Sequence, residues 1–293
     1  MAMEMLGAQG AIVVGIDGSA AAESAARWAA ADAAAHHLPV HLVVALGGFS
    51  PVMASEWPAQ TFYEGIDLKG RQALESAADA VGSIAPHTQV TTAVTNQPAA
   101  PTLIDLSKLA RKIVLGRSGL GGFTGMLLGS VPVGVTSRAH SPVVVVRGRS
   151  LLNGPIVVGV DGSASSEPAV SAALEQASRM HVPLVALHAV ERRSTVVAEG
   201  TAERVAELAS QCAPQVECHA VTTDQPARGS LMSWSGRAQL VVVGARGRGA
   251  VRGALLGSTS QALLHHAACP VLVAHDGTSD RPRRTASSHL ADP

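Results

Sequence analysis

Nine residues near the start of the chain, Ile12-Val-Val-Gly-Ile-Asp-Gly-Ser-Ala, return almost unchanged as Ile156-Val-Val-Gly-Val-Asp-Gly-Ser-Ala. Self-similarity at this separation marks a duplicated fold and restricts the chain to two copies of one topology. Further matches keep the same offset of 144 residues: Glu23, His37 and Pro39 correspond to Glu167, His181 and Pro183. From Gln97-Pro98-Ala99 against Gln225-Pro226-Ala227 onward the offset is 128, so the first copy carries sixteen additional residues between its second and third strands. A chain of 293 residues has room for two domains of ordinary size, each with its own core.

Within each copy, apolar runs of strand length alternate with segments of helical character. The first copy predicts strands at 11–16, 40–46, 89–95, 112–115 and 142–147, with helices at 20–36, 69–83, from Pro98 onward and at 130–139. The second repeats the order, with strands at 156–160, 183–190, 215–222, 239–243 and 270–274 and helices at 164–180, 200–211, 226–236 and 258–267. Such alternation calls for crossover connections and parallel sheets covered on both faces. The expected fold is therefore α/β, with two tandem three-layer α/β/α domains at 11–147 and 156–275. Residues 148–155 read as a linker, 1–10 as a flexible N-terminus and 276–293 as a disordered tail. The insertion, 47–68, reads as a polar loop concentrating Phe49, Trp57, Phe62 and Tyr63, either a lid or partner contact or a cluster on the domain's own surface.

The fourth strand of each copy runs into a glycine-rich loop. Gly116-Arg117-Ser118-Gly119, nine residues and then Gly129-Ser130 match Gly244-Ala245-Arg246-Gly247, nine residues and then Gly257-Ser258. Each loop joins a strand's carboxyl end to a helix's amino end, where loop amides and the unpaired N–H groups of the first helical turn converge and the helix dipole favours negative charge. Bare glycine backbone lets an anion come close, so the outline is that of a phosphate site. In a parallel sheet, ligands bind beyond the carboxyl ends of the strands. If the first and fourth strands are neighbours there, Asp17 faces Gly116–Gly119 and Asp161 faces Gly244–Gly247. A carboxylate would repel phosphates, so its useful roles are to hold a ribose or adenine donor, or Mg²⁺ against the phosphates. The alternative is that each aspartate only shapes a turn or caps a helix.

Glycines in the pattern Gly-x2-Gly-x9-Gly-Ser after the fourth strand, together with Asp after the first, resemble the nucleotide-binding group of the universal stress protein family in its tandem two-domain form. That resemblance implies five-stranded parallel sheets of order 3-2-1-4-5 and one ATP per half. It also implies a stress-response regulatory role rather than an enzyme. Carried over residue by residue, it assigns Asp17 and Asp161 to the ribose or metal side. The backbone of Ala45 and Ala189, where the family usually has valine, would meet adenine. Gly116, Gly119, Gly129 and Ser130 would hold the phosphates of one nucleotide, and Gly244, Gly247, Gly257 and Ser258 those of the other. Arg246, Arg248 and Arg252 in the second loop, against Arg117 alone in the first, predict tighter or more salt-sensitive binding in the C-terminal half. The apolar last strands, Val143–Val146 and Val271–Ala274, read as sheet edges that need pairing. The resemblance implies dimerisation there, between halves, between chains or both, and a homodimer is expected.

Other readings are weaker. Lys+Arg and Asp+Glu are both 22, so no overall field attracts nucleic acid or an anionic membrane. The first residues lack a basic and apolar leader and no apolar run spans a bilayer, so a cytoplasmic location is expected. Cys212, Cys218 and Cys269 have no metal or redox spacing and read as free thiols. The loose Gly119-x-Gly121-x3-Gly125 fingerprint lacks an acidic residue about 20 positions on, and no GxxxxGK[ST] stretch occurs. Neither glycine loop contains Lys, Glu or Asp, so no general base or catalytic lysine stands beside the phosphates. A slow ATPase or nucleotide-transfer enzyme, and a scaffold whose loops hold no ligand, are the alternative functions.

Overall fold

Ile12-Val-Val and Ile156-Val-Val are buried on both sides, as central parallel strands require, and the rest of the fold is laid out from them. A computed structural model describes residues 2–47, 59–119, 128–148, 153–163, 166–190, 200–247 and 256–275. The first half runs α1 (Ala2–Ala8), β1 (Ile12–Ile16), α2 (Ala20–His36), β2 (Val40–Gly47), α3 (Ala59–Ile84), β3 (Val90–Pro98), α4 (Ala99–Leu106), β4 (Lys112–Gly116), α5 (Ser130–Arg138) and β5 (Val143–Val146). The second runs β6 (Ile156–Val160), α6 (Glu167–Met180), β7 (Leu184–Ala189), α7 (Thr201–Cys212), β8 (Cys218–Thr223), α8 (Ala227–Ser235), β9 (Leu240–Gly244), α9 (Ser258–His266) and β10 (Val271–Ala274). Each half is a parallel sheet of order 3-2-1-4-5, as expected.

The two sheets are one. Strands β5 and β10 pair antiparallel, Val271 against Val145 and Val273 against Val143, and the described strands form a continuous ten-stranded sheet. Of the pairings the sequence left open, the one between halves is used. A homodimer through these last-strand edges would have to displace it. The core follows the sheet rather than the repeat: one buried cluster lies on the face of α2, α3, α6 and α7, the other on the face of α4, α5, α8 and α9, and each crosses the seam. The halves thus share two core layers instead of burying one core each.

Three elements depart locally from the expected bounds. Residues 2–8, expected to be flexible, form α1, whose Ala8 is fully buried against the sheet. Helix α3 begins ten residues earlier than the predicted Lys69 and takes in Phe62 and Tyr63, which were expected in the polar insertion loop. At Gly70 the glycine has a packing role, since a Cβ there would come within 3.1 Å of Val44 and 3.0 Å of Leu46. Helix α6 starts at Glu167 instead of Ala164. Phe49, Trp57, most of the linker and the tail lie outside the described residues.

On the α2 and α6 face the seam holds a buried polar network. Asp32 of α2, fully buried, pairs with Lys112 at 2.6 Å and accepts from Gln176 Nε2 of α6 at 2.7 Å, while Lys112 Nζ donates to Gln176 Oε1 at 2.8 Å. His36 Nδ1 stands 3.2 Å from Asp32, and Arg111 pairs with Glu175 beside them. Burial pushes the Asp32 carboxyl up, but the Lys112 charge and the His36 contact prevail and hold it well below the ordinary carboxylate range. Asp32 and Gln176 occupy the same repeat position, so this network closes around the internal two-fold.

Candidate functional site

Both Asp-Gly-Ser turns leave the sheet at its carboxyl rim. Gly18 and Gly162 have φ of +84° and +73°, a left-handed turn that selects glycine in each copy. Asp17 Oδ1 accepts from the Ser19 amide at 3.0 Å, and Asp161 Oδ1 accepts from the Ser163 amide at 2.9 Å and its hydroxyl at 2.6 Å. One oxygen of each carboxylate therefore shapes the turn. Capping itself falls to Ser19, whose Oγ accepts from the Ala22 amide at 3.1 Å.

The second oxygen of each aspartate points at the glycine loop. A Cβ at Gly119 would collide with Asp17 Oδ2, and one at Gly247 would lie 2.9 Å from Asp161 Oδ2. Strand β1 pairs β4 and β6 pairs β9, which is what brings these residues together. Ser19 Oγ also lies 3.5 Å from the Ser118 carbonyl, tying the α2 cap to the N-half loop. Gly116 plays another part, because a Cβ there would come within 2.5 Å of the Ala21 backbone; this glycine lets α2 pack onto the end of β4. Ala45 and Ala189 follow Val44 and His188, the partners of Ile16 and Val160, and so lie level with the two aspartates on the same rim.

Across the loop, Gly129 and Gly257 cap α5 and α9 without a side-chain hydrogen bond, so Ser130 and Ser258 open helices whose first-turn amides have no side-chain acceptor at the cap. Gly129 N donates to Arg117 O at 2.9 Å and Gly257 N to Ala245 O at 2.8 Å, closing the two loops alike. Sequence reasoning missed Ser260, whose hydroxyl donates to the Gly244 carbonyl at 2.7 Å and fastens α9 to the end of β9. Its repeat counterpart is Pro132, which gave no motif signal. Arg246 is exposed beside the C-half loop; Arg248 and Arg252 lie outside the described residues.

The arrangement can hold an anion on main-chain amides at the head of a helix, with a carboxylate a few ångströms away for hydroxyl donors or a cation. Among the described residues, no three His, Cys, Asp or Glu side chains gather as a metal site, and no helix is long and apolar enough to cross a membrane. A surface groove of about 480 Å³ between α2 and α3, lined by Glu23, Arg27, Glu75 and Asp79, includes none of the predicted site residues.

Comparison with known proteins agrees with this layout. The model of the universal stress protein family matches residues 10–147 and again 153–275. A universal stress protein of Mycobacterium tuberculosis (strain H37Rv) is 37% identical over 294 residues, covering 90% of this chain and 96% of that one. Another, from Mycolicibacterium smegmatis, is 37% identical over 287 residues, covering 89% and 96%. The crystal structure of a universal stress protein from Archaeoglobus fulgidus superposes with a TM-score of 0.71 at 19% identity, covering 90% of this chain and 98% of that one, which bears on the fold alone. With two matches to its model and relatives aligned through both copies, the chain belongs to the universal stress protein family and carries that family's domain twice.

Proposed function

We propose that the protein is an ATP-binding regulator that takes one adenine nucleotide in each half. The observation that carries this reading is the pairing of Asp17 with Gly119 and of Asp161 with Gly247, each beside a helix start with no side-chain cap. A glycine at each loop position leaves room for the carboxylate, closely at Gly119 and less so at Gly247. The phosphates would rest on the first-turn amides of α5 and α9, where the dipole favours them. Asp17 and Asp161 would meet ribose hydroxyls or a Mg²⁺ ion, and the rim at Ala45 and Ala189 would offer main-chain groups to adenine. A bound Mg²⁺ would neutralise phosphate charge next to the carboxylates.

The regulatory role is favoured over an enzyme because neither loop supplies Lys, Glu or Asp to activate a nucleophile. Mass spectrometry of the small molecule released when the purified protein is denatured tests the reading: an adenine nucleotide is expected, and an empty protein that also fails to bind ATP in titration would sink it. ATP turnover well above roughly one per minute, abolished by Asp17→Ala or Asp161→Ala, would instead make the protein an enzyme.

A further inference from the structure

Strand register sets two arginines side by side at the N-half loop. Strands β4 and β5 are parallel with Gly116 opposite Val146, so the next residues, Arg117 and Arg147, leave the sheet together at the rim where the N-half glycines sit. Arg147 crosses the seam: its Nη1 donates to the carbonyl of Leu264 at 2.6 Å and of Leu263 at 3.3 Å. Those carbonyls belong to the last turn of α9, where the dipole is negative; the Leu263 carbonyl also accepts from the Ala267 amide at 2.9 Å. The opposite end of α9, Gly257-Ser258, heads the C-half site. A single nine-residue helix therefore begins in one site and ends on an arginine rooted beside the other.

The C-half does not repeat this pair of arginines. At the repeat positions of Arg117 and Arg147 the C-half has Ala245 and His275. The end of α9 also carries His265 and His266; burial, His266 and Arg147 hold the His265 pKa below the ordinary histidine value. Burial, and then the Arg117 charge, disfavour the Arg147 guanidinium. An anion beside Arg117 would remove part of that repulsion. A helix with a cation held at its carboxyl end and an anion at its amino end is stabilised from both sides.

We propose that Arg147 is a positioning residue that couples the two sites, so that an anion bound at the N-half loop raises the affinity of the C-half site through α9. This rests on the nucleotide reading given above. By linkage, ATP in the C-half raises the N-half affinity by the same factor.

Calorimetric titration of the full chain with ATP tests it, using Gly119→Val to close the N-half site and Gly247→Val to close the C-half site. The C-half is expected to bind about two- to fivefold more weakly when the N-half is closed, the range a single charge at a helix end supports. Arg147→Gln should abolish that difference and Arg147→Lys should keep most of it, which a purely structural role would not produce. Should Arg147→Gln fail to fold, Arg117→Gln removes the anion's handle outside the seam and should equally erase the difference. Two sites that bind ATP with affinities indifferent to each other and to Arg147→Gln would overturn the coupling and leave the nucleotide reading standing. Absence of ATP binding by the unmodified chain would overturn both.

Discussion

Among the described residues the two halves agree in the turns, loop closure and helix caps of the candidate site and differ where side chains finish it. Each has the left-handed glycine after its aspartate, the same loop-closing amide bond and a glycine cap on the following helix. Yet α5 opens Ser130-Val131-Pro132 where α9 opens Ser258-Thr259-Ser260. The N-half loop is tied to its neighbour through Ser19 and Ser118, the C-half loop through Ser260 and Gly244. Asp17 is exposed and Asp161 half-buried, with Ser163 giving it a second hydrogen bond. The two copies share a backbone, and it is the side chains around it that distinguish them.

Asp32 against Gln176 is the most consequential difference, since the same repeat position is charged in one half and neutral in the other. Asp32→Ala strands Lys112 as a buried, unpaired charge and is expected to cost about 3–5 kcal/mol. Gln176→Ala leaves the ion pair and should cost only about 1–3 kcal/mol. Urea unfolding measures both, and equal losses would mean that the network is no more charged than its geometry on the C-half side. Because the folded Asp32 carboxyl is held below its unfolded value of 3.8, its contribution is complete above that pH. As pH falls below 3.8 toward the lowered folded value, the gap between the unmodified protein and an Asp32→Asn, Lys112→Met variant should shrink.

Loop glycines offer the next break. Gly119→Ala sets a methyl group on Asp17 Oδ2, which must leave its rotamer and its place over the loop, and N-half affinity for ATP is expected to fall about tenfold. Gly247→Ala leaves 2.9 Å to Asp161 Oδ2, a conflict that a small side-chain shift relieves, so its loss should be only about two- to threefold. Titration of each variant with the other site closed by valine separates them. Equal losses would count against this difference between the two aspartates.

Topology was legible because it is written in periodicity and repetition: strand order, loop position and the meeting of Asp17 with Gly119 follow from short local patterns placed twice. The seam network was not, since Lys112 and Gln176 lie 64 residues apart and Asp32 and Gln176 lie 144 apart, and neither pairing leaves a local trace. One signal was present. Asp32 interrupts the alanine face Ala22-Ala25-Ala29 of α2, and Gln176 does the same after Ala169 and Ala173 in α6. A polar residue on a face of small buried ones needs a partner from another element. The start of α3 is not legible for a different reason: residues 59–68 belong to the polar, proline-containing insertion, and Gly65 among them weakens the helical pattern.

Pro132 sharpens the comparison at smaller scale. Proline has no amide proton, so the first turn of α5 offers one fewer donor than that of α9. Pro132→Ser restores it, and a charge-assisted bond to phosphate should raise N-half affinity about fivefold, or about 1 kcal/mol. Ser260→Pro should lower C-half affinity by at least that much, because it also removes the hydroxyl bond to Gly244. An unchanged N-half constant in Pro132→Ser would place the phosphates elsewhere than the third amide of the helix.

The least of the expected effects lies at the seam itself, where Ser141 and Cys269 precede matching prolines at the start of β5 and β10. Both are buried. The Ser141 hydroxyl has no hydrogen-bond partner among the described residues, whereas the Cys269 thiol, pushed up to about 12 by burial, stays neutral and lies 3.4 Å from the Pro270 carbonyl. A thiol tolerates an apolar wall better than a hydroxyl does. Ser141→Ala should therefore raise stability by up to about 1 kcal/mol, since it removes a buried group that gave up water and gained nothing. Cys269→Ser should lower stability by less than about 1 kcal/mol, as its hydroxyl inherits the Pro270 carbonyl. Urea midpoints at constant slope report both shifts. A loss of stability in Ser141→Ala would show that the hydroxyl is bonded in solution and that the two sides of the seam are more alike than their residues.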